Sequence, residues 1–212
     1  MACSAWLGLA RAAVPEASES EVAEAGPPAT HFLPLFPLGV VAFPGELVLL
    51  HVYEPRYLQL IGESADSGIS FGIVTIVPGG ASSVGTEMVL ERILRTDASG
   101  TMDVSVRGLR AFQLQSFQRV VEGKLYSGGQ VSYMKNNPRV EPQVQSAIVQ
   151  LYNRLQYVSG SRSKLTEPYP ENLSFLIGHD VGFTRAEELQ LLTMPVEYDR
   201  QAYLLQQLMR MR

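Results

Sequence analysis

The apolar residues of this chain repeat with one period as far as Pro138 and with another after Pro142, and no other feature restricts the fold as much. Met102, Val104 and Val106 alternate with Asp103, Ser105 and Arg107, the period of a half-buried strand. Val144, Ile148, Leu151, Leu155 and Val158 instead recur three and four apart, the stripe of an amphipathic helix. Strands followed by helices predict an α+β fold, with a β-rich unit over residues 31–138 and a helical part over residues 139–212. No Gly/Ser-rich or Pro-rich spacer separates them, so the two are expected to pack together.

Within the first part, residues 46–53 are apolar on both faces, which predicts a strand buried on both sides or inside a barrel. Residues 69–77 form a second β-branched run, closed by the turn signal Pro78-Gly79-Gly80. Residues 86–95 and the strand from Met102 make a hairpin around Asp97-Ala98-Ser99-Gly100. Phe112 and Leu114 mark a further strand, and residues 125–133 another. Pro34, Pro37 and Pro44 exclude a helix before Gly45. One helix interrupts the strands, opened by Pro55 and carrying Tyr57, Leu58 and Ile61 to about Ser64. Beyond Pro170 the pattern predicts a helix with Leu173, Leu176 and Ile177. A capping box of Thr184 and Glu187 follows, ahead of Leu189 and Leu192. A last helix carries Tyr198, Leu205, Leu208 and Met209.

Composition excludes several classes of function. The net charge is −4 and only three of the 17 basic residues are lysines (Lys124, Lys135 and Lys164), so the cationic footprint of a nucleic-acid partner is missing. Cys3 is the single cysteine, which rules out an intramolecular disulfide and a zinc site of several thiolates. It fits a reducing compartment. No charge-free apolar run reaches the ~20 residues of a membrane span. A cytoplasmic protein is expected. Residues 1–30 are Ala-rich and carry Glu16, Glu19, Glu21 and Glu24 before Pro27-Pro28. A signal peptide has a basic start and a longer apolar stretch, so this segment reads as a disordered or weakly helical leader.

Catalytic motifs are missing. Gly123-Lys124 lacks the glycine and hydroxyl residue of a phosphate-cradling loop, and neither G-x-S-x-G nor H-E-x-x-H occurs. His31, His51 and His179 are too far apart for a local metal motif. No catalytic, cofactor-binding or metal-binding residue is therefore expected. His51 shares a strand face with Leu47, Leu49 and Tyr53 and reads as a packed core histidine. His179, followed by Asp180, reads as a cation at a helix C-terminus. Glu54 and Arg56 flank Pro55 and read as a partly buried ion pair that pins the strand-to-helix corner; a ligand-binding pair is the alternative.

Several blocks together resemble the Lon N-terminal domain family, also called the Lon substrate-binding domain. They begin with Leu33-Pro34-Leu35-Phe36-Pro37-Leu38, Phe43-Pro44-Gly45 and Leu50-His51-Val52-Tyr53-Glu54-Pro55-Arg56-Tyr57. Ser70-Phe71-Gly72-Ile73-Val74, Val84-Gly85-Thr86 and Val106-Arg107-Gly108-Leu109-Arg110-Ala111-Phe112 follow in the family's order. Glu188-Leu189-Gln190-Leu191-Leu192 and Asp199-Arg200 resemble its closing helices. The resemblance runs from about residue 32 to the C-terminus. It implies a PUA-like twisted β pseudo-barrel followed by a helical bundle.

It also implies a non-catalytic recognition module that binds unfolded or exposed polypeptide segments. Such a module is expected to stand alone, without the ATPase and peptidase domains of full-length Lon proteases, and the sequence lacks the two C-x-x-C pairs of cereblon-type relatives. The implied partners are polypeptide clients or a protein partner, and no cofactor is implied. Phe43, Leu47 and Tyr53, near the first block, are candidate contacts, though each reads equally as a core residue. An RNA-binding PUA-like module is one alternative, and clustering of Arg92, Arg95, Arg107 and Arg110 on one barrel face would favour it. An adaptor or scaffold is another.

Overall fold

The computed structural model describes residues 29–160 and 164–210. The leader expected over residues 1–30, Cys3 included, lies outside them except for Ala29 and Thr30. The strands are β1 (His31–Leu38), β2 (Leu47–Val52), β3 (Phe71–Val77), β4 (Gly80–Thr96), β5 (Met102–Gln118) and β6 (Ser127–Tyr133). One helix, α1 (Pro55–Ser67), lies among them. Four follow: α2 (Pro142–Val158), α3 (Leu173–Asp180), α4 (Arg185–Leu192) and α5 (Glu197–Arg210). The architecture is α+β, as the change of period predicts. Among the described residues no helix is long and apolar enough to cross a membrane.

The sheet order is β2-β5-β4-β3-β1-β6, and β6 also pairs with β5 and so closes a barrel. Phe112 and Leu114 do not begin a new strand. They continue β5, whose register against β4 slips at three places. Each slip inserts a bulge that bends and twists the ribbon, so one long strand can serve two partners in turn. Residues 102–107 of β5 pair with β2, and residues 112–118 pair with β6. Because β2 meets only the first half of β5, it stands beside the barrel as an edge.

β1 carries Pro34 and Pro37, residues that a strand with two hydrogen-bonded neighbours excludes. β1 tolerates them because it changes partner at Leu35. Residues 31–35 pair antiparallel with β6, and residues 35–38 pair parallel with β3. Each proline thus lies where one edge of the strand has no ladder to complete. α1 starts at Pro55 and stops at Gly68, whose φ of 68° lets its N–H return to the Ser64 carbonyl. Its Tyr57, Leu60 and Ile61 seal one core with Phe36, Val52, Phe71, Met88 and Val106.

A second core joins the two halves. Val41, Phe43 and Val84 pack with Ile148 and Tyr152 of α2, Phe175 of α3 and Leu204 of α5. The segment 39–46 between β1 and β2 belongs to no strand or helix, yet several of its backbone groups find partners. Thr75 and Thr86 hydroxyls donate to the carbonyls of Val40 and Ala42, while the Gly45 N–H donates to the Gly108 carbonyl and the Gly108 N–H to the Glu46 carbonyl. A Cβ on Gly108 would stand 2.2 Å from the Phe43 carbonyl oxygen, so only glycine permits this approach.

The connection to α2 is fastened as well. Asn137 bridges Val196, and Arg200 bonds the side chain of Asn136 and the carbonyl of Met194. Glu197 and Arg200, one turn apart on α5, are both fully buried. Arg200 Nη2 donates to Glu197 at 2.7 Å, and the same carboxylate accepts from the N–H and hydroxyl of Ser174 and from Gln201. Thr184 and Glu187 form the predicted capping box at the start of α4.

Candidate polypeptide-binding surface

The pleat of β2 turns Val48, Leu50 and Val52 toward the barrel core and Leu47, Leu49, His51 and Tyr53 outward. The two-sided apolar pattern predicts burial on both faces. The structure covers only one: among the described residues β5 is the sole strand paired with β2, and Leu47, Leu49 and Tyr53 on the outer face are exposed. Leu49 is 68% exposed, and Leu47 and Tyr53 are also exposed. Leu49 is the residue that sequence reasoning missed. Its signal was present, since Leu47, Leu49, His51 and Tyr53 share a face, but alternation cannot say whether a face is covered.

Phe43 belongs elsewhere. It is 1% exposed and stacks on Phe175 at 5.0 Å, joining the barrel to α3. The candidate trio is thereby corrected: Phe43 is core, while Leu47 and Tyr53 reach solvent. His51 is likewise corrected from a packed core residue. It is exposed, and its Nδ1 lies 2.7 Å from Asp103 on β5.

Glu54 and Arg56 do meet at the corner, with Nε and Nη2 of Arg56 both donating to one oxygen of Glu54. The pair is not partly buried, however, at 51% and 38% side-chain exposure. An exposed pair of this kind is worth roughly 0–1 kcal/mol. Arg56→Ala is accordingly expected to lower stability by less than about 1 kcal/mol in urea denaturation. A loss several times larger would show that the corner depends on this pair.

At its N-terminal end β2 runs into a groove of about 500 Å³ between the 39–46 segment and α3. Leu47, Pro44, Pro170 and Leu176 supply its apolar lining, and Glu46, His179 and Asp180 its polar wall. Asn172 donates to the Pro44 carbonyl at 2.5 Å and stands between this groove and a second cavity of about 280 Å³. His179 occupies the last turn of α3, as predicted, and lies 3.6 Å from Glu46 and 3.7 Å from Glu188 of α4. Burial pushes the Glu188 carboxyl above the usual range against the pull of His179, and Glu46 adds to the rise. Beside Asp180, burial and the hydrogen bond to that carboxylate hold the Tyr152 hydroxyl well above its ordinary value.

Three of the four arginines Arg92, Arg95, Arg107 and Arg110 are paired with carboxylates. Arg95 pairs with Asp103, Arg107 with Glu91, and Arg110 with Glu87 at 2.7 Å while lying over the Tyr133 ring. Burial alone would raise the Glu87 carboxyl, but hydrogen bonds from Ser70, Arg110 and Tyr133 outweigh it and hold the group below its usual range. Among the described residues no three His, Cys, Asp or Glu side chains converge on a point that could hold a metal ion.

The family described as the ATP-dependent protease La (LON) substrate-binding domain matches residues 32–210. The chain belongs to the Lon substrate-binding domain family. A solved Lon N-terminal domain protein from Xanthomonas campestris is 25% identical, with 83% of this chain and 98% of that one covered at a TM-score of 0.65. The N-terminal domain of a Mycobacterium avium complex Lon protease is 16% identical, with 84% and 98% covered at a TM-score of 0.61; that likeness concerns the fold alone. No curated protein matches the chain. The barrel with its attached helices is thus the Lon N-terminal fold, and the family is one of substrate-binding domains.

Proposed function

We propose that this Lon-type domain recognises unfolded or exposed polypeptide segments without acting on them chemically, and that the outer edge of β2 with the adjoining groove receives them. The observation that carries this reading is the edge of β2, unpaired among the described residues, with Leu47, Leu49 and Tyr53 facing solvent in one row. An extended segment added there would gain main-chain hydrogen bonds, while its alternate side chains would lie on those apolar groups. Native proteins withhold both from such an edge, because their strands are already paired and their apolar side chains are covered. Unfolded clients offer both.

The test is fluorescence anisotropy of one client in unfolded and native forms across a salt series. The unfolded form is expected to bind more tightly, with little loss as salt rises, because screening weakens exposed charge pairs and not apolar burial. Covering a leucine contributes about 1.5–3 kcal/mol, so Leu49→Ser is expected to weaken unfolded-client binding by roughly tenfold or more. Equal affinity for both forms, binding abolished by moderate salt, or an unaltered Leu49→Ser variant would each refute the reading.

A further inference from the structure

Carboxylates that this fold takes partly out of water are matched to donors, except at the groove beside α3. Glu54, Glu63, Glu87, Asp103 and Glu197 are buried or half-buried, and each pairs with an arginine or lysine. Half-buried Glu187 closes the capping box at Thr184. Glu46 and Glu188 are half-buried too, yet among the described residues the one base within ion-pair distance of either is His179. Arg185, one turn before Glu188 on α4, does not reach that distance; its Nη2 lies beside Gly39 instead.

Glu46 Oε2 accepts the Phe43 N–H at 2.8 Å. Its Oε1 accepts no hydrogen bond among the described residues, because 3.6 Å to His179 is too long for one. Asp180, on the same wall of the groove, accepts the Tyr152 hydroxyl and pairs with no arginine or lysine among the described residues. One imidazole carries at most a single positive charge, so Glu46 and Asp180 keep this wall net negative whatever the state of His179. Opposite stand Pro44, Leu47, Pro170 and Leu176, across a space of about 500 Å³ that continues into β2 at Leu47. An occupant with apolar atoms alone would strip water from the two carboxylates and return nothing to them. An acidic occupant would add like charge. A cation next to the apolar group satisfies both walls at once, and the low-dielectric side of the groove strengthens its pull.

We infer that this groove selects polypeptide segments in which a large apolar residue adjoins an arginine or lysine, the apolar side chain lying on Leu47 and Leu176 and the cation on Glu46 and Asp180. The inference names the client chemistry for the surface proposed above and rests on that reading.

Fluorescence anisotropy of the full chain with three end-capped peptides tests it. Their sequence is Ser-Val-Leu-Phe-X-Val-Ser, with Arg, Gln or Glu at X. The Arg peptide is expected to bind roughly three- to fivefold more tightly than the Gln peptide, the upper part of the range for part-exposed ion pairs, and the Glu peptide more weakly than either. Rising salt is expected to bring the Arg peptide to the affinity of the Gln peptide and no lower. Glu46→Gln, which keeps an oxygen for the Phe43 N–H, and Asp180→Asn are each expected to move the Arg-to-Gln ratio toward one. Leu176→Lys, at an exposed position, sets a tethered cation at the wall and is expected to do the same without touching either carboxylate. Glu122→Gln changes the net charge equally from the turn between β5 and β6, outside the groove, and is expected to keep the wild-type ratio.

Equal affinity for all three peptides would overturn the charge selection and leave apolar recognition standing. A ratio that survives Glu46→Gln, Asp180→Asn and Leu176→Lys, or that falls in Glu122→Gln, would overturn its assignment to the groove. Failure of all three peptides to bind would instead overturn the polypeptide-binding reading itself, and this inference with it.

Discussion

Arg200→Ala is expected to lower folding stability by about 3–5 kcal/mol, because it leaves the Glu197 carboxylate charged and buried without its counter-ion. Arg200 is 1% exposed, and its guanidinium joins α5 to Ser174 of α3, to the Met194 carbonyl and to Asn136 on the connection from the barrel. The loss would therefore be felt by both halves at once, as a single shifted transition in urea denaturation. Removing both charges is a different case. Glu197→Leu with Arg200→Met replaces the pair by apolar groups of similar bulk and is expected to recover much of the loss, because the desolvation of two ions is avoided. A single Arg200→Ala variant as stable as the wild type would mean that the pair is not buried in solution.

Phe43→Ala is expected to cost about 3–5 kcal/mol, the range for truncating a buried aromatic. Its ring stacks on Phe175 and packs in the core shared by the barrel and the helices, so its removal leaves a cavity at their junction. The measurement that separates structure from recognition is client binding at a temperature where the variant is still folded. Affinity per folded molecule is expected to stay within a few-fold of the wild type. Undiminished stability together with lost binding would return Phe43 to the set of client contacts.

These two positions show what could be read from the chain and what could not. The capping box at Thr184, the α2 stripe from Val144 to Val158 and the Asp97–Gly100 hairpin are local: spacing and turn chemistry within a few residues specify them. The Glu54–Arg56 pair is exposed where the sequence predicts partial burial, because adjacency in sequence shows that two charges meet but not how much water surrounds them. Phe43 and Leu49 illustrate the same gap from opposite sides. Both are large apolar residues in the same short stretch, yet one lies against Phe175 and the other against solvent.

What the sequence by itself determined is the order and kind of the elements, the α+β class and, through its blocks of family resemblance, the Lon substrate-binding fold. Periodicity records which residues share a face, and that is a property of the chain alone. Tertiary structure decided which of those faces is covered. β5 bends through its bulges to pair first with β2 and then with β6, so the barrel closes beyond β2 and leaves that strand with a single neighbour among the described residues. The exposure of Leu47, Leu49 and Tyr53 follows from that closure, whose partners lie more than fifty residues further along the chain, where no local pattern around β2 could signal it.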